Sequence, residues 1–148
     1  MELQKDFKEF FECLNARRVE YLIVGSYALA FHGSPRFTGD IDVYVKPDRI
    51  NADKIISALD DFGFGAIGLT PEDFMSSDKV VQLGYSPIRI DIMTSISGVD
   101  WEEASKGAVE GDYGSVPVKF IGRREFVLNK RASGRKKDLA DLEALGEE

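Results

Sequence analysis

The chain has 148 residues, a formal net charge of −7 and one cysteine. That length suits one compact domain, residues 1–148, burying roughly 70% of its unfolded surface, and the lone cysteine excludes an internal disulfide. No apolar run approaches the roughly 18 residues of a membrane span, and the start, Met1-Glu2-Leu3-Gln4-Lys5-Asp6, lacks the basic and apolar segments of a signal peptide; the expected setting is soluble and cytoplasmic.

Residues 3–17 predict an amphipathic helix, because Phe7, Phe10, Phe11 and Leu14 recur at i, i+3, i+4 and i+7. Cys13 beside them is expected to act as a small apolar side chain. Residues 19–24, Val-Glu-Tyr-Leu-Ile-Val, read as a buried strand that stops at Gly25-Ser26 and leads into a short helix through Phe31. His32-Gly33-Ser34-Pro35-Arg36 is loop chemistry. A strand over 39–45 follows, and then a helix over about 48–61 with Ile50, Ile55, Ile56 and Leu59 inward.

Thr70-Pro71-Glu72-Asp73 carries the marks of a helix start: a hydroxyl cap, proline in the first turn, then acids. Val80–Leu83 and Ile88–Met93 form a hairpin across Gly84-Tyr85-Ser86-Pro87. Asp100-Trp101-Glu102-Glu103 opens a short helix. Residues 116–121 are a strand that Pro117 places at a sheet edge. The stretch from Arg123 to Leu145 is helical with a break at Ser133-Gly134. The pattern implies an α/β (α+β) fold: a short mixed sheet with helices packed mainly on one face.

The most informative feature is Thr38-Gly39-Asp40-Ile41-Asp42-Val43-Tyr44-Val45. Alternation along a strand puts Asp40 and Asp42 on one face and Ile41, Val43 and Val45 on the other. Two like charges so close together call for a cation between them, and magnesium, a hard ion that takes carboxylate and phosphate oxygens, fits best. Asp91, in Ile88-Arg89-Ile90-Asp91-Ile92, adds a third strand-borne carboxylate, free either to join such a site or to pair with Arg89 on its own face. Carboxylates that bridge two magnesium ions, a glycine turn that receives a phosphate and basic side chains for the rest of a triphosphate make up the set that two-metal phosphoryl chemistry needs.

Charge is unevenly spread. Residues 119–137 hold eight basic side chains against Glu125 alone, a local +7 that leaves −14 elsewhere. Broad nonspecific binding to nucleic acid is disfavoured by the total, but a local anion site near the C-terminus is not. Ser26 has a plain alternative role as a helix cap, and Lys130 one at a helix C-terminus. Arg135, Lys136 and Lys137 read as a solvated face that pairs with Asp138 and Asp141. His32 is favoured as a loop or packing residue over a general base, and Trp101 and the phenylalanines as packing rather than base-stacking groups.

Gly25-Ser26, followed after eleven residues by Thr38-x-Asp40-Ile41-Asp42, resembles the signature of the nucleotidyltransferase fold superfamily that includes DNA polymerase beta. Arg36-x-Thr38-x-Asp40-Ile41-Asp42 and the C-terminal Lys130-(x)4-Arg135-x-x-Asp138-Leu139-x-Asp141-Leu142 are similar to the minimal bacterial nucleotidyltransferases of AbiEii-like toxin–antitoxin systems. The resemblance spans residues 19 to 145. It implies that Asp40, Asp42 and Asp91 hold magnesium, with Asp91 helping to deprotonate an acceptor hydroxyl. Gly25, Ser26, Arg36, Thr38 and Lys130 would then bind the nucleoside triphosphate. The acceptor it implies is RNA, a protein or a small molecule, with tRNA or a cognate toxin or antitoxin protein as possible partners. The competing expectation is a catalytically silent domain of the same fold that binds nucleotide or a partner.

Overall fold

The computed structural model describes residues 5–34, 39–65, 67–85 and 88–147. In chain order the elements are α1 (Lys5–Ala16), β1 (Tyr21–Val24), α2 (Gly25–Phe31), β2 (Asp40–Val45), α3 (Arg49–Phe62), a 3₁₀ turn (Pro71–Phe74), β3 (Val80–Tyr85), β4 (Ile88–Met93), α4 (Trp101–Lys106), β5 (Val109–Tyr113), β6 (Val116–Phe120), α5 (Arg123–Ser133) and α6 (Lys136–Ala144). Among the described residues the six strands form one mixed sheet in the order β3-β4-β2-β1-β6-β5. β2 runs antiparallel to β1 and parallel to β4, and β1 runs parallel to β6. The expected mixed α/β architecture is the one observed.

The apolar periodicity accounts for the packing. Phe7, Phe10, Phe11 and Leu14 of α1 are each no more than 1% exposed. They share one core with Ile41, Val43 and Val45 of β2 and with Ile55, Ala58 and Leu59 of α3. α1 and α3 also pack on each other. On the opposite face of β2 only Tyr44 joins that core, and Asp40 and Asp42 on the same face are only partly buried. Helix ends follow local chemistry: Asp48 caps α3 by accepting from the Asn51 N–H at 2.8 Å, and Asp100 caps α4 by accepting from Glu103 N–H at 2.8 Å. Gly134, at φ +64°, ends α5 in the left-handed conformation that glycine adopts without a Cβ clash, so the break expected at Ser133-Gly134 is present.

Four expectations change. Ile50, expected inward, is 71% exposed at the start of α3, while Ile55 and Leu59 face the core. Pro117 does not mark an edge, because β6 lies between β1 and β5. β1 reaches only Phe120 in its pairing with β6, so Pro117 lies beyond the paired stretch, and there its carbonyl accepts from the side chain of Asn15 at 2.7 Å. β5, the edge on that side of the sheet, was missed because Val-Glu-Gly-Asp-Tyr has only two apolar side chains, Val109 and Tyr113, separated by Gly111. It forms through a tight hairpin at Gly114-Ser115 that joins the paired Tyr113 and Val116, and through Gly111, whose missing side chain leaves room for the rings of Phe31 and Phe120. Those rings stack at 4.1 Å and 5°. The start at Thr70 yields only a four-residue 3₁₀ turn, closed by reciprocal bonds between Thr70 and Asp73.

Asn51 ties the entry to β1 and the exit of β2 to α3. Its side chain is buried, accepts from Glu20 N–H at 2.8 Å and donates to the carbonyls of Glu20 and Lys46, each at 3.0 Å. Asn51→Ala strands these backbone groups in the interior, and chemical denaturation should show a loss of about 2–3 kcal/mol.

Candidate active site

The site begins with register. β2 and β4 are adjacent and parallel, and the alignment places Asp42 beside Asp91 and Asp40 beside Arg89. Partners across such a pair are about 4.8 Å apart, so the three carboxylates emerge together on the face opposite Ile41 and Val43. They open into a cleft of about 650 Å³, whose walls also include Gly25, Ser26, Lys130 and Arg135.

Gly25, at φ +68°, starts α2 against this cluster, and a Cβ there would collide with the Asp42 carboxylate. The turn therefore brings bare backbone up to an acid, a close approach that requires glycine. The N-cap of the seven-residue α2 is Val24, so Ser26 lies within the first turn and not at the capping position.

Electrostatics are strained at Asp42. Burial, reinforced by the charge of Asp91, pushes its carboxyl up to about 6, against the smaller opposing influence of Lys137 and Lys130. Asp91 and Asp40 are held differently. Arg89 donates to Asp91 through Nε at 2.7 Å and Nη2 at 3.0 Å, and its Nη2 lies 3.3 Å from Asp40. Arg89 thus pairs with Asp91 and also bridges to Asp40. In that arrangement no three His, Cys, Asp or Glu side chains among the described residues are disposed to hold a metal ion. The donor chemistry nevertheless suits a hard cation: three carboxylates line one cleft, and one of them is raised by burial and by its acidic neighbour.

Lys130 reaches the cleft wall but is only 6% exposed. Its ammonium lies 3.2 Å from Asp138 and 3.3 Å from Asp141, and 5.4 Å from the centroid of the Phe126 ring. Arg135 grips Asp138 as well, through Nε at 2.8 Å. Burial raises the Asp138 carboxyl, but hydrogen bonds from Arg135 and Lys130 outweigh it and hold the group below its ordinary value. Asp138 and Asp141 are therefore buried partners of Lys130 rather than members of a solvated face.

Gly25, Ser26, Asp40, Asp42, Asp91 and Lys130 thus meet at one cleft, while Arg36 and Thr38 lie outside the described residues. His32 is not at the cleft; its ring nitrogen bonds the Ile121 carbonyl at 2.7 Å. Trp101 packs edge-on against Tyr44 at 5.1 Å. Sequence reasoning missed Asn129, Ser95 and Ser97, which also line the cleft. Asn129 bonds the Ser97 carbonyl at 2.9 Å, a loop-to-helix contact with no local sequence signal. Arg89 was visible as a possible partner of Asp91, but its link to Asp40 depends on strand order.

A family model described as "Nucleotidyltransferase of unknown function (DUF6036)" matches residues 1–146. No curated protein matches the chain. Among solved structures, a Thermotoga maritima protein assigned as a nucleotidyltransferase superposes with a TM-score of 0.64 at 15% identity, covering 93% of this chain and 88% of its own. The lincosamide antibiotic adenylyltransferase LnuA, solved with lincomycin bound, gives 0.61 at 16% identity, covering 97% and 96%. A nucleotidyltransferase-like antigenic protein from Paracoccidioides brasiliensis gives 0.53 at 15% identity, covering 95% and 72%. At these identities the likeness shows a shared fold.

Two stability predictions follow from the charges. Because the folded-state value of Asp42 lies above the unfolded one, the residue costs nothing below about pH 4. The penalty grows as pH rises through its folded value of about 6. In chelator-treated protein, Asp42→Asn should therefore stabilise by about 1–2 kcal/mol at pH 7.5 and not at pH 4, as read by denaturant titration at both pH values. Lys130→Met leaves two buried carboxylates without their shared cation and should destabilise by about 3–5 kcal/mol in the same assay.

Proposed function

We propose that this chain, which belongs to the DUF6036 nucleotidyltransferase family, is a magnesium-dependent enzyme that moves a nucleoside monophosphate from a nucleoside triphosphate to an acceptor hydroxyl. One observation carries the reading. Asp40, Asp42 and Asp91 emerge from adjacent strands into one cleft, where the bare backbone of Gly25 lies against Asp42.

In this reading Asp40 and Asp42 hold magnesium, and Asp91 completes the set. Magnesium, when bound, neutralises the polyphosphate and polarises the attacking and leaving oxygens. Gly25 and Ser26 offer backbone and hydroxyl to the phosphates. Asp91 accepts the proton from the acceptor hydroxyl as its oxygen bonds to the α-phosphorus. The bond from that phosphorus to the bridging oxygen breaks, and pyrophosphate carries the charge away. For this, Arg89 must release an oxygen of Asp91, and its guanidinium stays close enough to face the developing negative charge.

The acceptor is a hydroxyl of RNA, a protein or a small molecule. The run from Lys130 to Leu142, which resembles that of the toxin–antitoxin group, supports a place in such a pair, with tRNA or a cognate protein as acceptor. A second reading has an observation of its own: Arg89 bound to both Asp91 and Asp40 is the arrangement expected of a silent domain that binds nucleotide or partner without turnover.

Incubation with triphosphates labelled at the α or the γ phosphorus, against total RNA, cell protein and hydroxyl-bearing small molecules, separates the two. Transfer of the α label alone, with magnesium present, is the expected result. Asp40→Asn and Asp42→Asn should each lower that transfer by more than about 100-fold with circular dichroism unchanged. Full transfer by both variants contradicts the assignment, and nucleotide binding without transfer to any acceptor favours the silent domain.

A further inference from the structure

Among the described residues the cleft is lined by four cations, Arg89, Lys130, Arg135 and Lys137. Three are already committed. Arg89 is held by Asp91 and Asp40, Lys130 by Asp138 and Asp141, and Arg135 by Asp138. The charges of Lys130 and Arg135 are matched one for one by those of Asp138 and Asp141, so this network adds no net positive charge to the cleft. Breaking it to serve a ligand would leave buried carboxylates exposed to their full desolvation penalty.

Lys137 differs from the other three. It is solvent-exposed, it lines the cleft, and among the described residues it makes no hydrogen bond or ion pair. Its position is nevertheless well defined. It lies in the first turn of α6, next to Asp138, the carboxylate that Lys130 and Arg135 clamp. A flexible, hydrated ammonium on an anchored backbone suits the capture of a phosphate as a point charge.

We infer that Lys137 is the polyphosphate-binding cation of this cleft, and that the buried Lys130–Asp138–Asp141 network is the positioning device that holds α6 so that Lys137 faces the carboxylates. The inference rests on the nucleotidyl-transfer reading and assigns the triphosphate contact to a residue outside the set expected from sequence. Lys130 becomes a positioning residue whose ammonium stays with its two acids.

The test is calorimetric titration of inorganic tripolyphosphate and of each nucleoside triphosphate with magnesium into the full chain, for the wild type, Lys137→Ala and Lys137→Arg, with melting temperature measured in parallel. Lys137→Ala should weaken both kinds of ligand about 10-fold. Lys137→Arg should restore most of the loss, and neither substitution should move the melting temperature. Wild-type affinity in Lys137→Ala overturns the inference and leaves the nucleotidyl-transfer reading standing. If wild type binds neither tripolyphosphate nor any triphosphate, that reading fails and takes the inference with it. A fall in melting temperature for Lys137→Ala, unrepaired by arginine, makes the residue structural and also overturns it.

Discussion

Everything at the cleft depends on how three carboxylates are kept within reach of one another. The β2–β4 register sets Asp42 beside Asp91, and alternation along β2 adds Asp40. Such a cluster repels itself unless positive charge is supplied. The protein supplies it unequally. Arg89 satisfies Asp91 and bridges to Asp40, and Asp42 remains with a carboxyl raised to about 6. In the proposed reading this imbalance is what a cation would relieve, and Arg89 is the group that would give way to it.

The rest of the fold serves that arrangement. Ile41, Val43 and Val45 sink into the core beneath the acids, so the strand cannot shift register by one residue without burying charge and exposing apolar side chains. Gly25 brings the end of β1 against Asp42. On the far wall, α5 and α6 are fastened by an ionic network whose members are almost wholly buried, apart from Arg135. A buried network of this kind adds little net stability compared with apolar packing; here it fixes where the adjacent lysine stands.

Much of this was legible in the sequence, and the exceptions share a cause. The period-3.6 stripe of α1 and the alternation around Asp40 and Asp42 are local patterns that tertiary packing reinforced. Asp91 could be placed on the same face because Ile90 and Ile92 marked the buried side of β4. β5 was not legible, since Val109–Tyr113 is held by its hairpin and by two rings over Gly111 rather than by its own apolar pattern. Pro117 misled for the converse reason: a ladder that stops at Phe120 makes an interior strand tolerate proline. Asp138 and Asp141 looked like surface partners at helical spacing, yet Lys130, on the preceding helix, draws both inside. Whether a charge is solvated or buried depends on which helix packs on it, and that information is not local.

The most direct test of the account is calorimetric binding of the four nucleoside triphosphates, with and without magnesium, to the wild type and to Asp42→Asn. Binding that requires magnesium and disappears in the variant is the predicted result, because in the proposed reading the buried, raised carboxylate of Asp42 is the group that would hold the cation and through it the nucleotide. Triphosphate binding of equal strength with and without magnesium, in both proteins, would contradict it.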